Sequence, residues 1–141
     1  MSVAVAVVTA VVFVWLGMVL AISFLEAPLK FRAPGVTIPI GLGIGRVVFR
    51  ALNTAEVALS VILAVLVVVG LPSTTGVIAL LVAVATLVLQ LAAVRPRLTR
   101  RSDRVLAGGA VPRSRGHHVY VGLELIKVAA LVAAGVAMLA A

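Results

Sequence analysis

Residues 3–24 read VAVAVVTAVVFVWLGMVLAISF, an apolar run without a single charged side chain. A helix of this length rises about 33 Å, which matches the hydrocarbon core of a bilayer at ~30 Å. The positively charged segment that opens a secretory signal peptide does not precede this run, so we expect a retained first membrane helix. This run indicates that the chain is an integral membrane protein.

The composition of the whole chain agrees with this first segment. Of 141 residues, 64% are hydrophobic and 11% are charged, and the mean hydropathy is +1.32. A soluble domain carries about 25% charged residues. The net charge of +8 lies mostly beside apolar runs and without interleaved aromatic residues, so we expect no nucleic-acid partner. Cysteine is absent, which excludes disulfides and thiolate chemistry.

Three further apolar segments follow the first. Helices are predicted over about 3–24, 39–70, 75–94 and 118–141, with loops over about 25–38 and 95–117. Both of these loops are basic, whereas the connection around Pro72 carries no charge. Short basic loops lie in the cytoplasm, and in a four-span protein the first and third loops share one side. The sequence therefore predicts a single all-α domain, a multi-pass four-helix bundle of the plasma membrane with both termini non-cytoplasmic.

The second helix has an unusual start. Pro39 suits the first turn of a helix, and a helix from there to Gly70 exceeds the span of a bilayer core, so it must tilt, kink or protrude. Gly41 and Gly45 have the small-xxx-small spacing of close helix contacts. The glycines lack the G-x-G-x-x-G spacing of a phosphate loop.

Ionisable residues inside membrane helices are the first place to look for function. Two single-sided polar stripes are expected, consisting of Arg46, Arg50, Asn53 and Glu56 on the second helix and His117, Tyr120, Glu124 and Lys127 on the fourth. Such stripes turn inward, toward each other. Glu56 is then a partner for Lys127, and Glu124 is a partner for Arg46, for Arg50 or for Lys127 on its own helix.

Three other polar or amphipathic residues are candidates for lining a pocket, namely Trp15, Glu26 and Gln90. Trp15 lies in mid-helix although Trp prefers the membrane interface, and core packing is the favoured explanation. The outer half of the bundle offers little beyond Thr9 and Ser60. One chain therefore provides no polar path, which leaves a cytoplasm-facing cavity or a pore between subunits.

The sequence gives little support to metal, cofactor or enzyme chemistry. Neighbouring helical residues such as His117 and His118 point about 100° apart and chelate poorly. The chain has no other His, so we expect neither a metal nor a cofactor. No nucleophile–base pair stands out, so we assign no catalytic residue and favour a protein that is not an enzyme.

Two features point to partners. The arginines of the segment Arg95–Arg115 can bind anionic lipid head groups, although orientation by positive charge also explains them. Faces of small residues on the second and fourth helices favour tight contacts, which predicts a homo-oligomer or a membrane-protein partner.

A short pattern near the first loop resembles a known family. Trp15-Leu16-Gly17 is followed by Phe24-x-x-x-Pro28-x-x-Phe31, and a His opens the last helix. This resembles the small four-helix bacterial membrane proteins related to transmembrane protein 205, best over residues 1–50. The resemblance implies a four-span architecture and no settled chemistry.

Two functions stay open on this basis. The polar stripes can form a cytoplasm-facing site of an oligomeric transporter or channel for a small solute, a proton or an anion. The alternative is a non-catalytic accessory or structural subunit of a membrane complex, in which the same charges fix the register of the helices.

Overall fold

The computed structural model describes residues 1–70, 73–108 and 115–141, with side chains from residue 118 onward in the last segment. The helices are α1 (Val3–Arg32), α2 (Ile38–Gly70), α3 (Thr74–Leu106) and α4 (Arg115–Ala140). All four contain a span that is long and apolar enough to cross a membrane. Over the described ranges there is no strand. The predicted all-α four-helix bundle is thereby confirmed.

Side-chain caps explain where three helices begin. The hydroxyls of Ser2, Thr37 and Ser73 each accept the backbone N–H three residues later, at 3.2, 3.4 and 3.2 Å. These bonds satisfy amides that the first turn of a helix leaves without a partner. Gly35 has a φ of +80°, which only glycine adopts readily, and it closes the turn before α2.

Two helices are longer than their apolar runs. The expected loops 25–38 and 95–117 are helical as far as Arg32 and Leu106. Hydropathy marks where a chain leaves the hydrocarbon, but backbone hydrogen bonds continue beyond that point and Arg is a good helix former. The part of the expected loop over 109–114 lies outside the described residues.

Both extended helices contain a π-helical turn, over Leu20–Glu26 in α1 and Gln90–Val94 in α3. In α3 the N–H of Arg95 donates to the carbonyl of Gln90, five residues earlier. Pro28 and Pro96 follow the two turns. A proline ring clashes with the carbonyl four residues before it, which here lies inside each π turn, so the wider turn relieves the clash.

The bundle is organised around α4, which packs against α1 and α3, while α2 packs mainly against α1. The backbone at Gly70 touches Ala4, and Gly76 touches Met138. Both chain termini therefore lie at the end of the bundle where α2 connects to α3. An apolar core fills this terminal half, including Val8, Val12, Trp15, Leu63, Leu80, Leu87, Leu131 and Met138.

Close packing at the other end involves the glycines of α2. A Cβ on Gly45 would lie 2.8 Å from the Lys30 ammonium, and a Cβ on Gly41 would collide with the Phe31 ring. The two glycines thus leave room for side chains from the end of α1.

Candidate functional site

A buried polar network, centred on Lys127, lies in the middle of the bundle. Its Nζ lies 2.7 Å from Glu56 Oε2, 2.6 Å from Glu124 Oε1 and 2.8 Å from Gln90 Oε1. These contacts occupy the three donors of the ammonium. The side chains of Lys127 and Glu56 are fully buried. The expected Glu56–Lys127 pair is confirmed, and so is the pairing of Lys127 with Glu124 within α4.

Glu124 connects three helices. Its Oε1 also accepts from Gln90 Nε2 at 3.0 Å, and its Oε2 accepts from Ser23 Oγ at 2.5 Å. Ser23 and Gln90 belong to the two π turns. The widened turns therefore hold the side chains that orient the Glu124 carboxylate.

The network has unequal numbers of opposite charges. It contains two carboxyl groups and one ammonium, so full ionisation leaves one negative charge on buried side chains. Burying an uncompensated charge is costly, and such a group takes up a proton or a counterion instead. Glu56 Oε1 is buried without a hydrogen-bond partner in the described chain, as is Trp15 Nε1, which interacts with this carboxyl group. One bound proton makes the network neutral.

The apolar core closes the network on its terminal side. Trp15, Val12 and Leu131 have no exposed surface. The hydroxyls of Thr9 and Thr86 bond to backbone carbonyls of their own helices, at 2.8 and 2.7 Å. No hydroxyl of this region is thus oriented to continue a polar path, and such an apolar layer excludes water.

On the opposite side the network opens into a cavity of about 930 Å³. Its walls come from the end of α1, the start of α2, the end of α3 and the start of α4. Glu124 and Ser23 lie at its inner surface. The charged residues of the lining are Lys30, Arg46, Arg50, Arg95, Arg101 and Glu124. Five cations and one carboxylate therefore line the cavity. The carboxylate is bound to Lys127 and Arg46 is paired with Asp103, so positive charge remains in excess.

Aromatic rings position two of these cations. The Arg95 guanidinium lies 5.1 Å from the centre of the Phe49 ring and 5.7 Å from that of Tyr120. The Lys30 ammonium lies 5.6 Å from the Phe49 ring. Such contacts contribute about 0.5–2 kcal/mol each. Because a ring uses no hydrogen-bond donor, it fixes a cation and leaves its N–H groups available.

Most of the residues predicted from the sequence lie in the cavity lining or in the buried network, and Glu124 belongs to both. Arg46, Arg50, Asn53, Tyr120 and Glu124 line the cavity. Trp15, Glu56, Gln90, Glu124 and Lys127 form or contact the network.

Three of the expectations need separate comment. Arg46 binds Asp103 at 2.6 Å rather than Glu124, because α3 extends past Arg95 and brings an acid to the start of α2. Glu26 lies 3.9 Å from Lys30 and not in the cavity lining. The side chain of His117 lies outside the described residues.

Several site residues escape sequence reasoning. Ser23 is a lone hydroxyl in a charge-free run, and Arg95, Arg101 and Asp103 fall in what reads as a loop. A proline shortly after Ser23 and another shortly after Gln90 are the available signal, since both mark irregular turns. Within the described ranges, no group of three or more His, Cys, Asp or Glu residues is placed to hold a metal ion.

The fold and this site together define a multi-pass α-helical membrane protein with a buried ionic network below a cationic cavity. Comparisons with protein-family models, with curated proteins and with solved structures find no significant match. The function must therefore be argued from the site itself.

Proposed function

We propose that this chain is a plasma-membrane carrier with a cytoplasm-facing site. It transports a small anion and a proton in the same direction. The observation that supports the proposal most directly is the position of Glu124. This carboxylate lies at the inner surface of a cationic cavity and also shares Lys127 with Glu56. An anion in the cavity therefore faces a network that holds one exchangeable proton.

The linkage between anion and proton follows from electrostatics. An anion that enters near Glu124 brings a second negative charge into a low-dielectric region. Protonation of the network then becomes more favourable, because like charges disfavour each other's ionised forms. All four helices contribute groups that act on the protonation of this network. These groups are Trp15 and Ser23 from α1, Glu56 from α2, Gln90 and Arg95 from α3, and Tyr120 and Lys127 from α4.

The charge distribution supports the orientation. The basic end of α1 and the basic extension of α3 lie at the same end of the bundle, next to the cavity. Positively charged short segments stay in the cytoplasm, and this rule supports a cytoplasmic cavity with both termini on the other side. The exposed Arg97, Arg100 and Arg104 then face the head groups of anionic lipids.

Transport also requires a route past the apolar half, which one chain does not offer in this conformation. We propose that a second copy packs against the outward face of α2, because only 17% of the most apolar stretch of this helix is buried, against 33–39% for the other spans. The exposed residues of this face are apolar, so the route itself requires a change of conformation. Mass measurement in mild detergent tests this assembly, and a monomer would contradict it. The weak resemblance to relatives of transmembrane protein 205 is compatible with the architecture and carries no part of this proposal.

Proteoliposomes with an internal pH dye test the function. The probe is butane-1-sulfonate, an anion that carries no proton itself, and an inward gradient of it should acidify the interior. Glu56→Gln should abolish this acidification, whereas Arg104→Gln, which lies outside the cavity, should not. Folded wild-type protein that behaves like empty liposomes would refute the carrier. Stability that is lost in Glu56→Lys and recovered in Glu56→Lys/Lys127→Glu, without any flux, would establish the structural-subunit alternative.

A further inference from the structure

The residues that line the cavity include hydrogen-bond donors without a partner among the described residues. Arg95 Nη2, Arg101 Nε and Tyr120 Oη are all buried without a hydrogen-bond partner in the described chain, and all three residues line this cavity. Leaving a buried donor unpaired is unfavourable, and more so for a charged group. All three residues line one cavity, so an acceptor bound in it would lie beside each of them.

The geometry of these donors is fixed before any ligand binds. Tyr120 is 7% exposed, and its ring meets Phe49 edge-to-face at a centroid distance of 6.0 Å. Arg95 lies against both rings. Neither cation–ring contact consumes an N–H group. A preorganised site of this kind avoids the cost of ordering side chains on binding.

The remaining walls are largely apolar. They include Phe24, Leu42, Val57, Leu91, Leu98 and Val121. A fully hydrated inorganic ion would leave these walls without a partner. A ligand that joins an oxyanion to an apolar group would satisfy both parts of the lining.

We propose that the cavity binds an amphiphilic oxyanion, a phosphate, sulfonate or carboxylate carried on an apolar group. Arg95 and Tyr120 bind its oxygens, with Arg101 beside them. The same chemistry is offered by a soluble organic anion and by the phosphate of an anionic lipid. The inference rests on the proposed function only for its consequence in transport, because binding is measured without flux.

Binding of butane-1-sulfonate to the purified protein in uncharged detergent tests the proposal by calorimetry. Loss of a charged hydrogen bond of about 1.5–3 kcal/mol weakens binding roughly 10- to 100-fold, which is the expected effect of Arg95→Gln. Tyr120→Phe removes a single oxygen and should weaken binding about fivefold, as befits a neutral bond of ~1 kcal/mol. Arg104→Gln makes the same charge change on an exposed part of α3 and should leave the affinity unchanged. Inorganic sulfate, which lacks the apolar group, should bind more weakly than the sulfonate.

A second arm identifies the source of the ligand. If a lipid occupies the cavity, protein extracted from phosphatidylglycerol vesicles retains that lipid in native mass spectra, and Tyr120→Phe retains less of it. Retention without competition by the sulfonate would place the lipid elsewhere and overturn its assignment. Equal affinity of wild type, Arg95→Gln and Tyr120→Phe for the sulfonate, or no binding to wild type, would refute the proposal. Tight binding without proton movement would instead refute the carrier and leave the ligand class intact.

Discussion

Replacing Lys127 with Met tests how the bundle tolerates its buried charges. The substitution keeps the length and most of the volume of the side chain, but removes the only ammonium of the network. Two carboxylate oxygens that both lay within 2.7 Å of one nitrogen atom then face each other. The amide oxygen of Gln90 loses its donor as well.

The expected cost can be worked out in two ways. Removing one partner of a buried ion pair destabilises proteins by about 3–5 kcal/mol. With one proton on the network, a single carboxylate loses its cation, and a pair of opposite unit charges ~4 Å apart is worth about 4 kcal/mol at an effective dielectric constant of ~20. Both routes predict that Lys127→Met lowers the free energy of unfolding by about 3–5 kcal/mol, measured by circular dichroism during denaturation in mixed micelles.

A second substitution separates charge from packing. Adding Glu56→Gln to Lys127→Met removes one of the two carboxyl groups that then lack a cation, and keeps the shape of the side chain. The double variant should therefore recover at least about 1 kcal/mol, a coupling typical of residues in contact. If Lys127→Met unfolds within about 1 kcal/mol of wild type, or if the two losses simply add, the network is not held by electrostatic balance and the reasoning fails.

Three further predictions concern packing and orientation. Trp15 is the only Trp and is fully buried, so its fluorescence should be blue-shifted and insensitive to acrylamide; quenching would place the indole in water. Gly135→Ala should destabilise by about 1–3 kcal/mol through overpacking, since its Cβ would lie 2.6 Å from a phenyl ring. Gly122→Ala, with nothing within 4 Å, should not destabilise, and equal thermal shifts would contradict the packing. In the cysteine-free chain, a membrane-impermeant maleimide should label Thr74→Cys in intact cells and Arg104→Cys only in inverted vesicles. The reverse pattern would invert the topology.

The sequence was sufficient for the fold and for much of the site. A helix must be long and apolar enough to cross the bilayer core, so the apolar runs of the sequence locate the four helices. Ionisable residues are rare inside such helices, so Glu56, Glu124 and Lys127 stand out as candidates for a site. Helical periodicity then places these residues on facing sides. Charge alone placed Glu56 and Glu124 among the possible partners of Lys127, but it did not predict the contact with Gln90.

The rest depends on backbone detail that a periodic pattern does not contain. The position of Arg95 relative to the cavity requires α3 to continue beyond its apolar run and to pass through a π turn. Arg46 pairs with Asp103 only because that continuation brings the two helices together. The contact between Ser23 and Glu124 depends on how α1 packs against α4. A single hydroxyl in an apolar run does not show which helix it will face.

The π turn in α3 sets the angle between the two halves of the site. In an α-helix, residues five apart point about 140° away from each other, so Gln90 and Arg95 would face different neighbours. A π turn bonds a residue to the fifth one along and brings the two closer to a common face. If residues 91–94 were wound as a regular α-helix without loss of a residue, the whole basic extension would be rotated by about 100°, the angle of one residue. The buried network would keep its pairs while Arg95 turned out of the cavity. The additional residue of this π turn therefore connects the buried ionic network to the cationic cavity.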